Sequence, residues 1–214
     1  SIRRQRQMCI RDSFRSDKLS AFIKALLDNH PQQAADLCQE LQSSYPIVLT
    51  RNFDTAKLWV KSHARGTERY GLLASSEGKR LRGAGIWVPT QIDHVNWFLK
   101  GKDHVDSSYY LEVAASEFKV QGLEVDYAIV AWDADFRYIN GDFDYFRFRG
   151  TRWNHTNIKQ RQQYQKNAYR VLLTRARQGL VIYIPEGSQE DQSRIPALYD
   201  GTYRYLLSCG IPEI

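Results

Sequence analysis

The sequence predicts an α/β fold: a parallel sheet with helices on both faces. Three observations predict it. Short apolar, β-rich runs alternate with helix-patterned runs along most of the chain. The run "YAIVAWD" (127–133) is apolar enough for a central strand buried on both faces. The stretch "NAYRVLLTRARQGLVIYIPEG" (167–187) begins as a helix and ends as an apolar strand.

The elements follow in order. Residues 17–29 place Leu19, Phe22, Ile23, Leu26 and Leu27 on one helical face, with Ser16 as the expected cap. Pro31 suits the first position of a second helix, "PQQAADLCQELQSS". "PIVLT" (46–50) reads as a short buried strand, 54–65 as a helix and 69–76 as a strand. "IDHVNWFLKG" reads as a helix and "YYLEVAA" (109–115) as a strand. Residues 158–177 form a long helix, ended by Gly179 in a left-handed conformation, and 179–185 form the last strand. Residues 134–157 are aromatic, arginine-rich and punctuated by glycine, which predicts an insertion or hairpin after a strand.

Composition bounds the function. A chain of 214 residues, 43% hydrophobic, can bury a real core. No apolar run is long enough to span a bilayer, and no h-region follows the basic stretch "SIRRQRQMCIRDSF". Cys9, Cys38 and Cys209 lie far apart, which argues against zinc and disulfide frameworks and fits a reducing cytoplasm. The net charge of +6 favours an anionic partner, weakly. His30, His63, His94, His104 and His155 show no ligand spacing, so no metal site is expected.

Each polar motif has a plain structural reading. Arg175 and Arg177 are cations at a helix C-terminus, where the macrodipole contributes roughly 0.3–1 kcal/mol each. "QGLEVD" is a turn with solvated Glu124 and Asp126. "SFRS" is a cap before a helix.

The three segments nevertheless occur together and in order. "CIRDSFRSDKLSAFI" (9–23), "SEFKVQGLEVDYAIV" (116–130) and "AYRVLLTRARQGLVIYI" (168–184) resemble motifs IV, V and VI of superfamily 1 helicases. A closer resemblance runs through "PIVLTRNFDTAKLWVKSHARGTERYGLLASSEGKRLR", "EFKVQGLEVDYAIVAWDADFRY" and "FRGTRW". It is to the C-terminal half of a bacterial family described as a Schlafen group 3-like DNA/RNA helicase domain, within the P-loop NTPases. No G-x-x-x-x-G-K-[ST] occurs, and the nearest glycine pair, "RGAGI" (82–86), lacks the lysine. The resemblance therefore implies that residues 1–214 are a single RecA-like domain, the second of a UvrD/Rep-type motor. The first, with the phosphate-binding loop, would lie elsewhere in the whole protein.

Roles follow from the resemblance. Arg175 and Arg15 would be the arginines that reach the γ-phosphate of ATP, with Mg²⁺ held mainly by the missing domain. Gly122, Glu124 and Thr174 would line the nucleotide. Arg177 would remain a helix-end cation. The partner would be single-stranded DNA or RNA, touched by Ser116 and Phe118. These two stand where the superfamily places Thr and His, and packing inward is the favoured reading of Phe118. Arg147, Arg149 and Trp153, with Phe136, Tyr138, Phe146, Phe148, Arg137 and Arg152, form either a stacking platform or a β-hairpin with one face buried against the domain. The alternatives are a metal nuclease built on Asp126, Asp133, Asp135, Glu117 and Glu124, and a binding module without catalysis.

Overall fold

The computed structural model describes the backbone of residues 2–214, and the side chains of residues 15–214 other than His94. Strands β1 (Ile47–Thr50), β2 (Tyr70–Ala74), β3 (Val125–Ala131) and β7 (Ala176–Tyr183) form one sheet in the order β1-β7-β3-β2. Every pairing in it is parallel, as the alternation of elements predicts.

Side chains alternate across this sheet because successive residues of a strand point to opposite faces. Ile47, Leu49, Ala128, Val130, Leu180 and Ile182 face one core. That core also takes residues from α1 (Ile2–Leu27), α2 (Pro31–Leu41), α5 (Lys159–Leu173) and α6 (Ala197–Ser208). Val48, Leu72, Ile129 and Val181 face the other core, closed by α3 (Phe53–His63) and a 3-10 turn at Lys79–Ala84. Both faces are covered, so each such aliphatic side chain contributes about 1.5–3 kcal/mol of burial. A short helix, α4 (His94–Leu99), starts with Asp93 accepting hydrogen bonds from the Val95 and Asn96 amides.

Residues 134–157 form a second sheet of three antiparallel strands, β4 (Phe136–Ile139), β5 (Asp142–Arg149) and β6 (Arg152–His155). The predicted hairpin is there, extended by one strand.

Several expectations are corrected. Helix α1 runs through Ser16, which is therefore not a cap. Residues 109–115 are not a strand: Ser108–Tyr110 form a 3-10 turn and Leu111 takes φ 60°. Only Val113 and Ala115 make isolated parallel bridges, to Trp87 and Leu73. Helix α5 stops at Leu173, and Ala176 already belongs to β7. Gly179 is not a left-handed cap; it pairs with Tyr127 inside the sheet, and a Cβ there would sit 3.0 Å from the Tyr127 ring. Its role is close packing. Helix α6 has Tyr199, Thr202, Tyr205 and Leu206 on its buried side, a pattern too polar to stand out in the sequence.

Candidate functional site at the amino edge of the sheet

The α5–β7 junction fixes the arginine turn. Thr174 ends α5, and its Oγ1 donates to the carbonyls of Arg170 (2.9 Å) and Val171 (3.1 Å). Arg175 lies between helix and strand and is half-buried. Its Nε donates to the Val171 carbonyl at 3.3 Å, and its own carbonyl accepts from the Val125 amide at 3.2 Å. The Tyr45 hydroxyl donates to the Ala176 carbonyl at 3.0 Å. The turn is thus tied to α5, to β3 and to the segment ahead of β1.

A cleft of about 180 Å³ opens beside this turn, lined by Arg15, Leu19, Tyr45, Glu124, Thr174 and Arg177 among others. Four chain segments contribute to it. Burial pushes the Tyr45 phenol up, and the positive Arg15 guanidinium pulls it the other way. Arg177 stands 3.7 Å from Glu124, both well exposed. This corrects the reading of Arg177 as a helix-end cation: it projects from β7 into the cleft. Thr174 and Ala176 both line the cleft, while Arg175 between them is not one of its lining residues and its guanidinium is held at the Val171 carbonyl. Gly122 has φ +86° with open space over its Cα, so the turn before Glu124 requires glycine. The remainder of the first motif, residues 9–14, lies outside the described side chains, as does Cys9.

The carboxyl edge holds a different set. Ser116 is buried (4% exposed), so its hydroxyl is not presented outward in this conformation. Phe118 is 57% exposed, which overturns the expected inward packing; its ring meets Tyr164 at 5.9 Å. Arg147 donates from Nε to Glu77 Oε1 at 3.0 Å, while Arg149 is exposed. Both arginines line a groove of about 340 Å³ with Arg161.

The aromatic platform is not an open one. Phe136 is fully buried, and Tyr138 stacks on Tyr205 with centroids 4.0 Å apart. Trp153 donates to the Ser193 carbonyl at 2.8 Å and packs against Phe148 and Arg137. Phe146 lies under Arg137, 3.8 Å from guanidinium carbon to ring centre. Phe136 lies in the core, Tyr138, Phe146, Phe148 and Trp153 are half-buried against their neighbours, and the arginines Arg149 and Arg152 stay in water.

Asp133 and Asp135 are buried in a polar network. Asp135 accepts from Tyr169 (2.6 Å) and Ser75 (2.8 Å), and Asp133 from Tyr199 (3.0 Å) and the Arg80 amide (2.9 Å). Burial first, and the neighbouring Asp133 second, push Asp135 up to about 8. Asp126 accepts from the Arg69 amide at the start of β3. At roughly 3.3 Å per residue it lies about 20 Å from Asp133, so these carboxylates cannot share a metal. Among the described residues no group of three or more His, Cys, Asp or Glu is placed to hold a metal ion. No helix among them is long and apolar enough to cross a membrane.

Sequence reasoning missed Arg177, Tyr45, Tyr164 and Arg161. Arg177 was legible had the strand been started two residues earlier; the others carry no motif signal.

Fold and site together define a parallel α/β domain with a cationic cleft at one sheet edge. The chain belongs to the Schlafen group 3, DNA/RNA helicase domain family, whose model matches residues 2–186. No curated protein matches it. Membership carries a helicase-type role, with nucleic acid as the partner class.

Proposed function

We propose that this chain is the RecA-like second half of a superfamily 1 type motor, supplying arginines to ATP held by a phosphate-binding half. One observation carries the reading. Arg15, Glu124, Thr174 and Arg177 come from three distant stretches of sequence and meet in one cleft, and Arg175 lies in the turn between its lining residues Thr174 and Ala176. Guanidinium groups suit phosphate oxygens because the planar fork binds two at once and stays charged. Positive groups aimed at a γ-phosphoryl stabilise the charge that develops during transfer.

The residues present fit one end of a nucleotide. Arg15, Arg175 and Arg177 would meet the terminal phosphate, and Thr174 holds the turn that aims them. Glu124, after the Gly122 turn, would accept from a ribose hydroxyl once released from Arg177. Mg²⁺ would neutralise the phosphate charge when ATP is bound, and its ligands would come mainly from the other half, since among the described residues lining this cleft Glu124 alone is a hard anionic donor. Nucleic acid would run over the carboxyl-edge arginines, Arg147 and Arg149.

The chain alone should therefore bind ATP weakly and hydrolyse none. Robust magnesium-dependent ATP turnover by this chain by itself would overturn the assignment. The nuclease alternative loses its support in the separation of Asp126 from Asp133 and in the buried, hydrogen-bonded state of Asp133 and Asp135. Cleavage of nucleic acid that disappears in Asp133→Ala would restore it.

A further inference from the structure

Two exposed rings on different elements meet at the carboxyl edge. Phe118 comes from the loop after the Ala115 bridge, and Tyr164 from the second turn of α5. Their centroids are 5.9 Å apart with planes tilted by 32°. They remain 57% and 50% exposed, so their mutual contact leaves about half of each ring in water. Tyr164 lines a small cleft of about 70 Å³ with Arg147 and Arg161. Those same two arginines continue into the groove that holds Arg149.

The acids on the cleft wall are already engaged. Glu77 pairs with Arg147, and Glu117 accepts from the Ser76 amide at 2.9 Å and the Ser76 hydroxyl at 2.6 Å. Glu77 is thus neutralised by its arginine, and Glu117 is buried and turned toward Ser76 rather than toward an incoming phosphate. Exposed rings flanked by arginines are the chemistry that single-stranded polynucleotides use: bases stack on the rings and phosphates meet the cations. A duplex keeps its base faces covered and cannot use the rings.

Placement joins this spot to the arginine cleft. Residues 116–124 carry Phe118 at the carboxyl edge and Glu124 at the amino edge. Helix α5 carries Tyr164 near its start and ends at Thr174, about 15 Å further along at 1.5 Å per residue. A helix and a turn-rich loop thus connect the two sites.

We propose that Phe118 and Tyr164 form a stacking step for an unpaired base of single-stranded nucleic acid, with Arg161 meeting the adjoining phosphate. The proposal rests on the helicase-type reading above and deepens it: it names the strand state and the residues that select it.

The test is fluorescence anisotropy of the chain with fluorescein-labelled oligothymidylate, oligouridylate and a blunt duplex of equal length. Both single strands should bind at least about tenfold more tightly than the duplex. Phe118→Ala and Tyr164→Ala should each weaken single-strand binding about tenfold, and leave the salt dependence unchanged. Phe118→Leu should weaken it similarly, because bulk is kept and the ring is lost. Phe118→Trp and Tyr164→Phe should stay near the parent chain. Arg161→Ala should lower the slope of log affinity against log salt by about one. Melting temperatures of all variants separate lost binding from lost folding, and Phe118 serves where Tyr164→Ala proves unstable. Equal affinity for duplex, or parent-like binding by Phe118→Ala and Phe118→Leu, would overturn the stacking step. If arginine variants alone weaken binding, the step falls while the motor reading stands. If no single strand binds, the step and the nucleic-acid track fall together; ATP turnover then decides the motor half separately.

Discussion

Arg177 leaves β7 one residue after the strand begins and reaches Glu124 at 3.7 Å. Both side chains keep more than half their surface in water, so the pair contributes little to folding, within about 1 kcal/mol. Arg177→Ala should accordingly leave the melting temperature nearly unchanged, and any loss it causes should show in ATP turnover by the two-domain protein. Gly122 behaves in the opposite way. A Cβ there would meet nothing, yet its φ of +86° belongs to the left-handed region that side chains adopt at a cost. Gly122→Ala should destabilise by about 1–3 kcal/mol, a drop of roughly 2–4 °C for each kcal/mol in a chain of this size. Differential scanning calorimetry on the two variants reads both outcomes. A larger loss for Arg177→Ala than for Gly122→Ala would reverse the assignment of which residue shapes the cleft and which serves it.

The β4–β6 sheet shows how an element can be seen in sequence while its use is misread. Its alternation of aromatics and arginines marked it as β structure, and three strands form there. The same alternation suggested a stacking surface, but Phe136 and Tyr138 pack on the core side, while Phe146, Phe148 and Trp153 on the other side are half-covered by Arg137, Arg80 and the Ser193 carbonyl. Phe136 stacks between Phe143 and Trp132, and Trp153 is tied to Ser193. Phe136→Ala should therefore cost about 3–5 kcal/mol of stability. Trp153→Ala should lower the melting temperature without changing the affinity of the remaining folded protein for single strands. Which face of a strand is buried depends on what α5 and α6 place against it, and no local pattern carries that. The main strands were legible because burial on both faces leaves continuous apolar runs such as Leu180–Tyr183. The 109–115 segment misled for the same reason: Tyr109, Leu111 and Ala114 are apolar and buried, but Leu111 at φ 60° breaks the extended backbone. Arg15, Glu124, Thr174 and Arg175 were readable as motif members. Tyr164 and Arg161 were not, since one exposed ring and one exposed cation on a polar helix look like ordinary surface until Phe118 is placed beside them.

Across the whole molecule the two sheet edges have different electrostatic characters. The amino edge gathers Arg15 and Arg177 around an open cleft, whereas the carboxyl edge buries Asp133, Asp135 and Arg137 together. Asp135 is raised to about 8 in the folded state, against an ordinary value of 3.8. Between those values the folded chain holds a proton that the unfolded chain releases. Its contribution to stability is fully present below about pH 4 and is lost as pH rises through about 8. Asp135→Asn should flatten this part of the profile. Asp28 runs the other way: hydrogen bonds from Lys166 and Lys24 lower it to about 2, so its contribution is lost only as pH falls from about 4 toward 2. Thermal melts across this range check both signs, and a stability that rises between neutral and alkaline pH would contradict the buried-acid account. The central claim, that the turn at Thr174–Ala176 delivers an arginine to ATP, is tested most directly at Arg175. The measurement is the nucleic-acid-stimulated ATPase rate of the protein carrying both halves, with Arg175→Ala and Arg175→Lys, each shown to be folded by its melting temperature. The account predicts that both variants lose about 10³-fold or more in turnover while ATP binding falls far less, because a point charge cannot replace the bidentate fork. Unchanged turnover in a folded Arg175→Ala protein, or full rescue by lysine, would contradict it.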